Sequence, residues 1–177
     1  SVRVRHFLDV VTADVGEQAV RQHVVAPLEG LKVAPYYGCQ ITRPFGEIDD
    51  PDFPTAMHRL LGWIGAEALD FGLSTKCCGG MLMTTTPDPA LDLVGHILSE
   101  AKRIGADCIA TACPLCQINL EAYQKKAGRK MNADCSLPVL YFTQLLGLSL
   151  GLEPDKVALK DNLTPGEVVL AARSARQ

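Results

Sequence analysis

Short apolar runs alternate with amphipathic stretches along the chain, and that alternation predicts most of its elements. Val4, Phe7, Leu8 and Val11 fall at helical spacing, and Glu17 to Val25 follows as a second helical segment ending at Pro27. Lys32 to Tyr37 reads as a strand in which Pro35, lacking a backbone donor, points to an edge or a kink. Met57, Leu60, Leu61 and Ile64 give a helix between Pro54 and Gly65. Ala68 to Phe71 is expected as a second short strand. The clearest helix comes next. Asp88 is the expected N-cap and Pro89 the first helical residue; Ala90, Val94, Ile97, Ala101 and Ile104 form the apolar stripe, and Gly105 ends it. Cys108 to Ala112 is a third strand. Pro114 opens a helix that Gly128 is expected to close, and Val139 to Phe142 is a fourth strand running into an apolar helix through Leu150.

Repeated strand–helix–strand units imply a parallel sheet with right-handed crossovers. The expected fold class is α/β: a small, mostly parallel sheet flanked by helices in Rossmann-like layers, with cysteine loops at the C-terminal ends of the strands. A chain of 177 residues is expected to form one domain. It divides into an N-terminal helical segment over 1–30, an α/β core over 31–152 and a tail over 153–177. Hydrophobic residues at 47%, charged residues at 21% and a net charge of −3 describe an ordinary soluble chain with no nucleic-acid footprint. No apolar run follows Ser1-Val2-Arg3-Val4-Arg5, so a signal peptide is not expected. The apolar stretch from Leu137 to Leu152 is short and interrupted by Thr143, Gln144 and Gly147, which argues against a membrane span. Since the chain does not open with Met, a fragment of a longer protein is one expectation.

The cysteines change the picture most. There are seven, an odd count without the density of a secreted disulfide scaffold, so a reducing cytoplasm is expected. Five fall in three clumps: Cys39, then Cys77-Cys78 before Gly79-Gly80, then Cys113-Pro114-Leu115-Cys116. Each clump follows a predicted strand. In a parallel sheet those strand ends share one edge, where open α/β sheets bind their ligands. Loops 37 and 34 residues apart can therefore converge. Thiolates at this density select zinc or iron–sulfur clusters over hard cations, and one zinc takes only four ligands. Cys108 starts the third strand, and five residues of strand span roughly 16 Å. Cys108 and Cys135 are thus expected at the opposite edge, as small buried hydrophobes.

Local chemistry fits. Cys116 would lie in the first turn of a helix, where free N–H groups favour negative charge. Gly79-Gly80 lets the backbone approach a bulky inorganic core. Lys76 and Arg43 are placed to offset thiolate charge or to meet an anionic partner, with a solvated surface role as the plainer reading. Met81 and Met83 are candidates for an apolar wall or for core packing. His6, His23, His58 and His96 lie beside no cysteine clump in the sequence, so surface or packing roles are expected. Glu47, Asp49 and Asp50 read as a solvated acidic loop.

The set Cys39, Cys77-Cys78-Gly79 and Cys113-Pro114-Leu115-Cys116 resembles one CCG motif, the cysteine-rich signature of the heterodisulfide reductase B subunit. The stretches Val33-Ala34-Pro35-Tyr36-Tyr37-Gly38-Cys39, Thr111-Ala112-Cys113-Pro114-Leu115-Cys116-Gln117 and Leu137-Pro138-Val139-Leu140-Tyr141-Phe142-Thr143-Gln144 resemble it too. The resemblance implies a single CCG domain holding a noncubane 4Fe-4S cluster on Cys39, Cys77, Cys78, Cys113 and Cys116. It further implies cleavage of a disulfide, such as a coenzyme M–coenzyme B type heterodisulfide, in one-electron steps. Electrons would come from iron–sulfur or flavin donor subunits, and the small thiol or disulfide substrate would sit above Gly79-Gly80. The family's full-length protein carries two motifs and this chain one, matching the C-terminal copy; it is either that half or a single-motif relative. The second spacing is also about a residue short. Related CCG proteins serve in lactate, glycolate, glycerol-3-phosphate and succinate oxidation. Three other readings stay open: a passive electron-transfer subunit of another dehydrogenase, a structural zinc domain (zinc can replace a lost cluster), and a thioredoxin-like Cys113/Cys116 redox pair.

Overall fold

In the computed structural model, which describes residues 2, 4–44, 48–164 and 166–174 (side chains through 171), four strands form one sheet. These are β1 (Lys32–Tyr36), β2 (Glu67–Ala68), β3 (Cys108–Thr111) and β4 (Val139–Tyr141), all parallel, in the order β2-β1-β3-β4. The helices are α1 (Phe7–Asp9), which continues as a π-helical turn over Val10–Val15, then α2 (Gly16–His23), α3 (Ala56–Trp63), α4 (Leu82–Thr85), α5 (Pro87–Arg103), α6 (Pro114–Ala122), α7 (Gln124–Met131), α8 (Phe142–Ser149) and α9 (Glu167–Ser174). This is the expected α/β class. The tail, for which the sequence predicted no structure, forms 3-10 turns at Pro154–Val157 and Leu159–Asp161 before α9.

Both faces of the sheet are covered, as a parallel sheet requires. Val33, Ala110 and Leu140 pack with Leu8, Leu60 and Leu145 from α1, α3 and α8. Ala34, Ile109 and Val139 pack on the other face with Val94 and Ile97 of α5 and Leu120 of α6. Each fully buried Leu or Ile contributes about 1.5–3 kcal/mol relative to exposure.

Pro35 lies in an interior strand, not at an edge, opposite Ala110 of β3. The reason is parity. Leu69 N–H donates to Val33 O at 2.9 Å, so odd-numbered groups of β1 face β2. The next rung on that side would need an N–H from Pro35, and there the ladder stops. Thus β2 is shorter and earlier than the Ala68–Phe71 expectation.

Three other boundaries differ from the sequence reading. Helix α5 begins at Pro87, with Thr86 at the N-cap; Asp88 instead meets Lys130 of α7 at 2.9 Å, as does Asp92. The helix opened by Pro114 breaks at Tyr123 into α6 and α7, and Asn132 in the left-handed region ends α7. Gly128 is interior to α7, and its lack of a side chain is needed for packing: a Cβ there would meet Ala133 O at 2.7 Å. Finally, Asp49 accepts from Thr55 and Ala56 N–H at the start of α3, and Asp50 from Asp52 and Phe53 N–H. The acidic loop therefore caps a helix start; Glu47 lies outside the described residues.

Candidate metal centre

Adjacent parallel strands release their loops at one rim. With Tyr36 opposite Thr111, the turn after β1 carries Cys39 and the turn after β3 carries Cys113 to the same edge. The third clump lies far beyond the end of β2 and reaches the rim by other means. Tyr37 and Gly38 N–H both donate to Ser74 O, at 2.9 and 3.1 Å, and the buried Tyr36 hydroxyl donates to Lys76 O at 2.5 Å. These bonds tie the segment ending in Cys77-Cys78 onto the end of β1. Tyr36→Phe leaves the Lys76 carbonyl without that donor, and is expected to cost about 1–3 kcal/mol in urea unfolding. A cost near zero would show that the hydroxyl does not hold the segment.

The five thiols form one assembly. Cys113 is the N-cap of α6, Pro114 occupies its first turn and Cys116 follows. The Cys116 thiol hydrogen-bonds both Cys113 and Cys78, and those bonds push its own pKa far up. The same bond to Cys116 is the main cause that holds Cys78 down to about 6 against its burial, with help from Gly80 N–H and Asn119. Cys113 is likewise held down to about 6, chiefly by Cys116 and then by the N–H groups of Cys116 and Leu115 at the helix start. The second arm is Cys39 with Cys77: burial and then the neighbouring charge and hydrogen bond of Cys77 raise the Cys39 thiol, and Cys78 reaches it as well. Gly79 N–H donates to Cys77 Sγ at 3.4 Å.

Two tyrosines bracket the thiols. Burial raises Tyr36 first, and the charges of Cys78, Cys116, Cys77 and Cys39 raise it further. Tyr141 is raised by burial and then by Cys113 and Cys116. The Tyr141 hydroxyl donates to Ala112 O at 2.6 Å. His6 shares that carbonyl at 3.1 Å through Nε2, while its Nδ1 accepts from Leu8 N–H. The neutral ring therefore carries its hydrogen on Nε2. His6 thus keeps the packing role expected of it but arrives at Ala112, next to Cys113, from 106 residues away, a proximity the sequence does not signal. His58 stacks on Tyr37, and its Nδ1 bonds the Tyr37 hydroxyl at 2.9 Å; His23 and His96 bond carbonyls of their own helices.

Asn119 is a further residue that sequence reasoning missed. It is buried on α6 three residues after Cys116, and its Nδ2 donates to Gly80 O at 3.1 Å and to Cys78 O at 3.3 Å. Arg43 pairs with Asp52 at 2.8 Å, and Lys76 is exposed. Met83 is buried, whereas Met81 stands 67% exposed at the rim. Cys108 and Cys135 are both buried, away from the five; Cys135 Sγ lies 3.5 Å from Ser99 Oγ.

Among the described residues, no group of three or more His, Cys, Asp or Glu side chains is set to hold a single metal ion. A cavity of about 1050 Å³ lies elsewhere, lined by Glu121, Lys125, Arg129, Cys135 and Leu163 among others and by none of the five thiols. No helix of the described residues is long and apolar enough to cross a membrane.

The sequence matches the family model described as CCG, cysteine-rich domain, over residues 33–121. It is 32% identical over 163 residues to the B subunit of the ferredoxin:CoB-CoM heterodisulfide reductase of Methanosarcina mazei, covering 90% of this chain and 54% of that protein. It is 32% identical over 162 residues to the 8-methylmenaquinol:fumarate reductase membrane anchor subunit of Wolinella succinogenes (90% of this chain, 56% of that protein). A protein of Archaeoglobus profundus, named as like the heterodisulfide reductase B subunit, is also 32% identical, over 163 residues, with 88% and 54% covered. The chain thus spans about half the length of these relatives.

Proposed function

Because this chain belongs to the CCG family of cysteine-rich domains, we propose that it is an iron–sulfur redox subunit of a heterodisulfide reductase-like complex. Its cluster, of the noncubane 4Fe-4S type, would be held by Cys39, Cys77, Cys78, Cys113 and Cys116. The observation that carries this reading is the meeting of five thiols, from three loops, at the sheet rim: Cys78, Cys113 and Cys116 in one arm and Cys39 with Cys77 in the other, close enough that Cys78 raises the Cys39 thiol through its charge.

The donor set suits such a group. Soft thiolates favour iron–sulfur clusters and zinc, and five exceed the four ligands of a structural zinc. The backbone also approaches the sulfurs closely where only glycine allows it: Gly38 has φ +70°, and a Cβ on it would sit 2.9 Å from Cys116 Sγ. When bound, such a cluster supplies electrons singly and iron with an affinity for sulfur.

The chain's own residues do the rest. The thiols bind, and the N–H groups at the start of α6 favour their negative charge. Tyr36, Met83 and Asn119 are buried around the loops and exclude water from their inner side. The proposed net reaction is a disulfide plus two electrons and two protons giving two thiols. The electrons would come from iron–sulfur or flavin donor subunits, in a cytoplasmic complex. A passive electron-transfer role is the second reading, favoured by the Wolinella relative, whose name is that of a fumarate reductase component.

Anaerobic purification followed by iron, sulfide and zinc analysis tests the proposal. Iron with sulfide is expected; zinc without either overturns it. Adding a thiol to the oxidised protein is expected to change its electron paramagnetic resonance spectrum. A spectrum indifferent to thiols would leave electron transfer alone.

A further inference from the structure

Asn119 presents one amide nitrogen to three acceptors of the same loop. Its Nδ2 lies 3.1 Å from Gly80 O, 3.3 Å from Cys78 O and 3.7 Å from Cys78 Sγ. An amide has two N–H groups, so the loop is bonded through both, one of them shared with the sulfur or alternating with it. The side chain is 3% exposed, so water does not compete for these contacts. Its position on α6 matters. Cys116 and Asn119, three residues apart, share one helix face, and the helix that offers one sulfur to the site also hooks the loop that offers another. The loop needs this restraint: Gly79 and Gly80, at φ of +88° and +36°, can take either sign of φ at little cost, so their own backbone does not fix the turn.

We propose that Asn119 is a positioning residue that fixes the Cys77-Cys78-Gly79-Gly80 loop against α6 and, through its N–H to Cys78 Sγ, raises the reduction potential of the bound cluster. This rests on the cluster reading above. A hydrogen bond to a ligating sulfur withdraws charge from it and so favours the reduced, more negative state. The occupant of the site is therefore easier to reduce with Asn119 than without it.

The test uses the whole chain, loaded with iron and sulfide under anaerobic conditions, and its midpoint potential by spectroscopic redox titration. Asn119→Leu keeps the branched shape and removes both donors. Its potential is expected to fall by about tenfold in the reduction equilibrium, about 59 mV for a one-electron couple. Asn119→Ala removes both donors without added bulk, and its potential is expected to fall likewise; it also serves if the leucine variant does not fold. A cluster present in all three proteins at one potential overturns this inference and leaves the cluster reading standing. Absence of any cluster from the parent protein overturns both. A purely structural role would lower cluster content in the variants without moving the potential of what remains, and that result too would overturn the electronic part.

Discussion

Cys78→Ser is expected to lose the visible absorbance and the iron and sulfide of the anaerobic protein, while Cys135→Ser keeps them. The two thiols are alike in burial, each 2% exposed, so loss of packing should be similar. They differ in their partners. Cys78 lies under the rim, its thiol lowered to about 6 by the hydrogen bond from Cys116 first and then by Gly80 N–H and Asn119. A serine hydroxyl there stays protonated and is a hard, weak donor to iron. Losing even a group hydrogen-bonded to a metal ligand costs about 10–100-fold in affinity, and losing the thiolate itself costs more. Cys135 sits instead before β4 near Ser99 Oγ and Gly95 O, at 3.5 and 4.0 Å, so a hydroxyl in its place finds partners. Equal loss of iron in both variants would show that the division of the seven cysteines into five ligands and two bystanders is wrong.

The grouping of the cysteines by sheet edge is legible in the sequence because it depends only on where strands begin and end. A cysteine just after an apolar run sits at one edge, and a cysteine at the start of a run sits at the other. Cys39 and Cys113 obey this directly. Cys77-Cys78 obeys it for a reason the sequence conceals: β2 stops at Ala68, and the pair is drawn in by Tyr36, Tyr37 and Gly38. The Pro35 signal is real but points to the wrong cause. The missing N–H does mark an unpaired side, yet the strand is interior: β2 and β3 flank it, and β2 pairs with it only as far as Val33, before Pro35. Asn119 and His6 have no local signature. One is a polar residue inside a helix, and the other meets Ala112 across 106 positions; such pairs exist only once the fold does. Asp49 reads as solvated from sequence since capping depends on where a helix starts, and start positions are the weakest part of a periodicity argument.

The turn itself supplies the second large expected effect. Gly79→Ala is expected to destabilise the protein by about 2–4 kcal/mol, taking both costs together. Glycine holds φ +88° there, a conformation that costs an L side chain about 1–2 kcal/mol. A Cβ would also stand 2.9 Å from Ala90 Cβ and 3.1 Å from Ala90 Cα. Those atoms belong to the first turns of α5, and Ala90 is itself fully buried. Neither can yield without moving the helix, so the clash is relieved by shifting the loop, and Cys77 and Cys78 shift with it. Two comparisons isolate the cause. Gly72→Ala meets nothing within 4 Å and has no positive φ, so it is expected to be nearly neutral. Gly80→Ala meets only Leu115 Cδ2 at 3.5 Å, so its cost should come from φ alone and fall between the two. Urea unfolding of the three variants measures the order. If Gly79→Ala proved as stable as Gly72→Ala, the close approach of this turn to α5 would be absent from the protein, and with it the reason for placing Cys78 beneath the rim.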